Sequence, residues 1–247
     1  RYNPFDLPMG STAEKVSAVY NISRKDQEQW AFESHQKAAA ARDKGKFKNE
    51  LIPIEVTYED GSKQVIDSDQ NIRPETTLEQ MAALKPAFKP DGIVTAATSS
   101  PLNQGASLVL LMSREKADKL GLKYTLKYRA GALAGVDPTM MGIGPIPATK
   151  KVLERAGLTI KDIGVIEINE AFASQSLACM RELKFPREIT NMWGGAMALG
   201  HPLGSSGSRI TVTLNNIMKT DKKDAKYGLA TLCVGFGQGA ATIWERV

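Results

Sequence analysis

Three separated stretches of this sequence hold side chains able to do chemistry together. The first runs Gly194-Gly195-Ala196-Met197-Ala198-Leu199-Gly200-His201-Pro202-Leu203-Gly204-Ser205-Ser206-Gly207, with five glycines and one of the two histidines in 247 residues. Glycines at this density let a backbone take positive φ and approach a ligand closely. A histidine titrates nearest neutrality, so His201 suits proton transfer or stabilisation of developing charge. The loop leads into Ser208–Leu214, read as a helix start, where an anion or oxyanion can be held. The second stretch is Cys233-Val234-Gly235-Phe236-Gly237. A cysteine there can be nucleophile or base once a partner lowers its pKa, or an ordinary buried thiol at a strand end. The third is Asn169-Glu170-Ala171-Phe172, in which Asn169 is either a polar site residue or a helix cap. Alone, His201 also reads as a satisfied core histidine within a tight turn. No His, Cys and Asp grouping has metal-ligand spacing.

The elements that must carry these loops follow from periodicity. Ser11 to Tyr20 has helical spacing, with Ser11 and Glu14 forming a capping box. Ser23 caps a second helix, Arg24 to about Lys44, closed by Gly45. His35 lies on it among polar neighbours, as a surface or packing residue. Leu51–Ile66 alternates around Glu59-Asp60-Gly61, a hairpin signal. Thr77 caps a short helix that stops before Pro86. Ile93–Pro101 is expected to begin as a strand, and Ala106–Met112 reads as a buried strand or buried helix. Beyond Pro101 the chain alternates regularly. Helices are expected at 114–121, 147–157, 171–183 and 208–218, and strands at 124–134, 161–168, 229–234 and 240–247. That alternation implies a layered α/β domain, its last two strands antiparallel across the glycine-rich turn.

Composition excludes several classes. Apolar residues make up 42% and charged residues 24%, with a net charge of +5, values of a soluble globular protein. No apolar run reaches membrane-span length. The basic residues are interspersed with acidic ones and lack an aromatic stripe, so nucleic acid is not the expected partner. Cys179 and Cys233 do not form a disulfide framework, which points to a reducing, cytoplasmic setting. The opening residues, Arg1-Tyr2-Asn3-Pro4-Phe5-Asp6, show no signal-peptide layout and read as a loop entered partway along a chain.

Taken together, Asn169–Ala173, Gly194–Gly204 and Leu229–Gly239 resemble the three C-terminal signatures of thiolases, acyl-CoA:acetyl-CoA acyltransferases that cleave 3-ketoacyl-CoA or condense in reverse. Similar text also occurs at Met9–Glu14, Ile22–Arg24, Arg73 with Pro86–Phe88, Val94–Ala96 and Met141–Ala148. The resemblance covers essentially the whole chain in order. It implies that Cys233 is the base exchanging a proton with the acetyl-CoA α-carbon, and that His201 helps stabilise the thioester oxygen. It also implies that Asn169 holds the water of an oxyanion hole and that the Gly235 amide donates to the other. Arg73, Ala96 and Ser100 match positions contacting the nucleotide or pantetheine arm of coenzyme A; Phe88, Met141 and Phe172 match positions lining its tunnel. Acyl-CoA and CoA are then substrates, and no permanent cofactor or metal is expected.

The departures are specific. The acyl-carrying cysteine of thiolases lies in a first α/β half upstream of Arg1, and Cys179 does not match it. Pro8 stands where biosynthetic thiolases have a histidine. Phe236 and the ending Trp244-Glu245-Arg246-Val247 resemble the fatty-acid β-oxidation branch. The expectation is an α/β thiolase-like layered fold, helices around a mixed sheet. An inserted α+β loop domain (1–102) would precede a C-terminal α/β half (103–247). The missing first half is an expected partner, as are homodimers or homotetramers and a β-oxidation multienzyme partner. A mitochondrial or peroxisomal location is an alternative to the cytoplasm. A non-catalytic CoA-binding or interaction protein derived from a thiolase is the competing reading. A ketoacyl-synthase-type condensing enzyme is disfavoured, since that type uses two histidines where this chain has Asn169 and Cys233.

Overall fold

Two runs of β-branched and apolar residues form adjacent parallel strands, and the rest of the architecture is arranged around them. The computed structural model describes residues 7–247; the loop-like reading of residues 1–6 lies outside that range. β4 (Ile163–Ile168) lies parallel to β5 (Tyr227–Val234), β5 is antiparallel to β6 (Gln238–Arg246), and β6 is antiparallel to β3 (Leu126–Gly135). The sheet order is thus β3-β6-β5-β4. Parallel neighbours need a crossover, and here it runs from β4 through α6 (Ala173–Leu183), α7 (Ala196–Leu199) and α8 (Ser206–Thr220) to β5.

Side-chain alternation gives the sheet two apolar faces. Ile166, Ile168, Leu229, Ala241 and Ile243 pack with Ile146 and Val152 of α5 (Pro145–Ala156) and with Cys179 and Leu183 of α6. Val165, Ala230 and Trp244 point the other way, onto Ile210, Leu214 and Ile217 of α8 and the alanines of α2 (Arg24–Asp43). Helices on both faces of a mixed sheet make the expected α/β layering. A small sheet, β1 (Ile54–Thr57) with β2 (Lys63–Ile66), forms the hairpin read from the sequence.

α5 begins with a backbone-to-backbone contact. A Cβ on Gly144 would stand 2.8 Å from the Gly239 nitrogen, and one on Gly239 would stand 2.7 Å from the Gly144 Cα. Both positions therefore require glycine for the β5–β6 turn to seat on the start of α5.

Several expectations change. α1 spans Met9–Val19 with Pro8 at its N-cap and no side-chain cap, so Ser11 lies inside the helix and the Ser11–Glu14 box does not form. The Glu14 carboxylate instead accepts from the backbone N–H of Ile93 and Val94. Those amides are thereby withdrawn from any ladder. Ile93–Pro101 has two isolated bridges, Thr95 with Pro86 and Ser99 with Phe172, and a 3₁₀ turn at Ala96–Thr98 in place of a strand. Ala106–Met112 is neither strand nor helix. Leu108, Leu110 and Leu111 are 81%, 70% and 65% exposed, because no described strand lies beside them to complete a ladder. α8 starts two residues earlier than expected, so Ser206 belongs to its first turn. α3 (Leu78–Ala82), with its Thr77–Gln80 capping box, and α4 (Arg114–Lys119) form as read.

Candidate active site

Parallel strands bring their carboxyl ends to one edge, and that is where Asn169 and Cys233 lie. Ile168 pairs with Thr231, the Asn169 amide donates to the Thr231 carbonyl at 2.9 Å, and Cys233 follows two residues on. His201 arrives from the crossover, just after α7. Its amide donates to Asn103 Oδ1 at 3.0 Å. The Asn169 Nδ2 atom stands 3.3 Å from His201 Nε2 and 3.4 Å from Nδ1. Two stretches far apart in sequence thus meet side chain to side chain.

The Pro202 carbonyl accepts from the Ser205 and Ser206 amides at 2.9 and 3.0 Å and from the Ser206 hydroxyl at 3.1 Å. The same hydroxyl stands 2.6 Å from His201 Nδ1. Burial, and then the nearby Arg209 charge, holds the imidazole below its usual pKa of 6.5, so His201 is neutral at pH 7. The neutral ring carries one proton, which it can present from Nε2 beside the Asn169 amide. Two donors 3.3 Å apart can share an oxygen on which negative charge develops.

Cys233 is buried against Met141, Phe172, Ala171, Val94 and Ala13. Burial pushes its thiol up to about 12, so it rests protonated. Gly235 lies in the turn just beyond β5, and its carbonyl accepts from Gln238 Nε2 at 3.2 Å. Phe236, next along, has φ 65°, a left-handed conformation rare for an aromatic residue.

The six residues matched to coenzyme A contacts fall into two groups. Phe88, exposed, packs edge-on against Phe172 with ring centroids 6.0 Å apart, and Phe172 and Met141 share the Cys233 cluster. The Ser100 amide and hydroxyl both donate to the Ala171 carbonyl at 3.0 Å, and Ser99 bridges Phe172. Ala96 is exposed on the 3₁₀ turn of the same segment. Phe172 and Met141 thus touch the Cys233 cluster directly, while Phe88 and Ser100 reach it through Phe172 and Ala171. Arg73 is placed by a different contact: its amide donates to His35 Nδ1 at 3.1 Å, and its side chain is exposed. His35 is buried, a packing residue rather than a surface one. Among the described residues, no three His, Cys, Asp or Glu side chains are grouped to hold a metal ion.

Sequence reasoning missed the supports of the site. Asn103 and Ser206 hold His201, while Ser34, Asn191 and Glu170 bind the loops that carry it. The one sequence signal for them was an acidic residue, Glu170, set between the apolar β4 and Ala171-Phe172.

Comparison with known proteins agrees with this geometry. Residues 4–115 match the family described as thiolase, N-terminal domain, and residues 122–246 match thiolase, C-terminal domain. The chain belongs to the thiolase family. It is 53% identical over 242 residues to the 3-ketoacyl-CoA thiolase of Vibrio parahaemolyticus, a match covering 96% of this chain and 61% of that protein. The fold is similar to that of the Bacillus anthracis acetyl-CoA acetyltransferase, with TM-score 0.94, 41% identity, and coverage of 98% of this chain and 60% of that one. Human mitochondrial 3-ketoacyl-CoA thiolase in complex with CoA is also similar, with TM-score 0.88, 40% identity, and coverage of 98% and 60%. The chain thus spans about three fifths of the length of the relatives it matches. No helix among the described residues is long and apolar enough to cross a membrane.

Proposed function

We propose that this chain supplies the proton-transfer and enolate-stabilising part of a 3-ketoacyl-CoA thiolase. The observation that carries the reading is the convergence of the Asn169 amide and the His201 imidazole at the edge where buried Cys233 ends β5.

In thiolysis, a cysteine thiolate adds to the C3 carbonyl of a 3-ketoacyl-CoA. We place that cysteine in the two fifths of a thiolase that these 247 residues do not span. The C2–C3 bond then breaks, and its electron pair passes to the acetyl-CoA enolate. His201 Nε2–H, with Asn169 directly or through a held water, donates to the enolate's thioester oxygen. The protonated Cys233 delivers its proton to the enolate carbon, giving acetyl-CoA. The Gly235 amide donates to the oxyanion formed at C3. Incoming CoA gives its thiol proton to the Cys233 thiolate and attacks the acyl-enzyme, releasing the shortened acyl-CoA. Condensation is the same sequence reversed. Phe88, Ala96, Ser100, Met141 and Phe172 line the path of the pantetheine arm, and Arg73 meets the nucleotide end. Residues 1–102 serve as the loop domain and 103–247 as the C-terminal half.

Homodimers or homotetramers in the cytoplasm, engaged in fatty-acid β-oxidation, are the setting this reading implies. Its test is turnover of acetoacetyl-CoA with CoA by the protein joined to a cysteine-bearing first half. Turnover that depends on Cys233 and His201 is the expected result. CoA binding by calorimetry without turnover in the joined protein would replace the reading with a CoA-binding, non-catalytic role.

A further inference from the structure

Glu170 has no part in the chemistry above, yet its surroundings are the most specifically built on this edge of the sheet. It is 1% exposed, and both carboxylate oxygens are engaged. Oε2 accepts from the Ser34 hydroxyl at 2.7 Å and from the Met197 amide at 3.1 Å; Oε1 accepts from Asn191 Nδ2 at 2.8 Å. The donors come from α2, from the first turn of α7 and from the segment between α6 and α7. Ser34 Oγ also accepts from the Gly195 amide at 2.9 Å. Asn191 clamps β4 on both sides, accepting from the Ile168 amide and donating to the Ile168 carbonyl, each at 2.9 Å.

We infer that Glu170 is the positioning residue that sets the spacing between Asn169 and His201. Asn169 precedes it in the chain, and Met197 begins the short helix that ends at Gly200, next to His201. One carboxylate therefore fixes both loops to the same point. The glycine pair at the head of the His201 loop makes room for it. A Cβ on Gly195 would stand 2.6 Å from both carboxylate oxygens, and one on Gly194 would stand 2.8 Å from the Ala38 Cβ. The glycine density that first marks this loop is thus partly a socket for Glu170 and α2. A buried carboxylate is favourable only when hydrogen-bonded, and three donors satisfy this one. A glutamine cannot replace it. Donors face both oxygens, so whichever way the amide turns, its NH₂ meets a donor.

The test uses the ¹⁵N-labelled chain and needs no turnover. Its two histidines give two resolvable imidazoles. His35, held by Arg73, and the Trp244 indole, donating to Thr242 Oγ1, serve as internal references. In E170Q the His201 ring nitrogens are expected to shift while those references stay. The Met197 amide, deprived of a charged acceptor, should exchange about 10- to 100-fold faster. A purely structural role would lower the melting temperature and leave His201 unmoved. If E170Q does not fold, S34A removes one of the three donors and carries the same test. An unmoved His201 in whichever variant folds overturns the inference. The idea rests on Asn169 and His201 being the reacting pair, and the two can fail separately. A thiolysis assay that fails beside a shifted His201 removes the function and keeps the coupling. Turnover beside an unmoved His201 removes the coupling alone.

Discussion

The Asn169 amide nitrogen and the His201 Nε2 nitrogen stand 3.3 Å apart at the carboxyl edge of the parallel strands, where the proposed mechanism uses both as donors. Removing one such donor from an oxyanion site costs about 10²–10³ in kcat. N169A and H201A in the assembled enzyme are expected to fall by that factor in acetoacetyl-CoA thiolysis with little change in melting temperature. A loss confined to KM would mean that the pair only binds substrate.

The proposed mechanism assigns the ring proton of His201 to Nε2, with the Ser206 hydroxyl donating to Nδ1 at 2.6 Å. The imidazole ¹⁵N shifts at pH 7.5 should accordingly show Nδ1 as the unprotonated nitrogen. In S206A that preference should weaken, since no hydroxyl remains 2.6 Å from Nδ1. A wild-type spectrum with the proton on Nδ1 would refute the assignment.

Both cysteines are buried, and burial raises both thiols, Cys233 to about 12. Iodoacetamide at pH 8 should therefore leave the folded chain unmodified, and urea-unfolded chain should take up two labels by intact mass. Rapid labelling of Cys233 in the folded chain would show a thiolate already present.

Histidine burial makes stability pH-dependent in one direction. Burial, and then the Arg73 charge, depresses His35 from 6.5 to about 4, and His201 is also lowered. The unfolded chain then binds more protons than the folded chain between those values. Stability is fully present above pH 6.5 and falls as pH drops toward 4. Urea midpoints at pH 7.5 and 5.0 should show the loss, and H35N, which keeps an acceptor for the Arg73 amide, should reduce it.

Glu167 works in the opposite sense. It is wholly buried on the α8 face, 4.0 Å from Arg209, and burial pushes its carboxyl up to about 8 despite that charge. Its folded pKa lies above its unfolded value of 4.5, so its contribution declines as pH rises from 4.5 through 8. E167Q should lose less stability than the parent as pH rises from 4.5 through 8. An identical pH dependence in the two proteins would show Glu167 to be ionised throughout.

What could be read in the sequence was what is encoded locally. The caps at Ser23, Gly45 and Thr77 act within a few residues of themselves, and each falls where the structure has it. The strands of the main sheet were legible as short apolar runs between helices, because both faces are covered. Glu14 was misread for the reverse reason. Its helical spacing from Ser11 suited a cap, but its carboxylate is claimed by amides at 93 and 94. Ala106–Met112 has the apolar content of a buried strand, yet a strand is a property of two segments, and no described segment pairs with it. Asn169, His201 and Cys233 could be named from their motifs, but nothing in their spacing showed that the first two would touch. Glu170 was harder still, because its three donors sit at 34, 191 and 197 and only the folded chain puts them together.

The contact of Gly144 with Gly239 has a bearing on how the site spends its time. The start of β6, just past the turn that holds Gly235, rests on the residue that opens α5 main chain against main chain. A joint of that kind has no rotamers to exchange. The start of β6 is thus fixed before any substrate arrives, and the proposed site need not wait for that wall to reorganise.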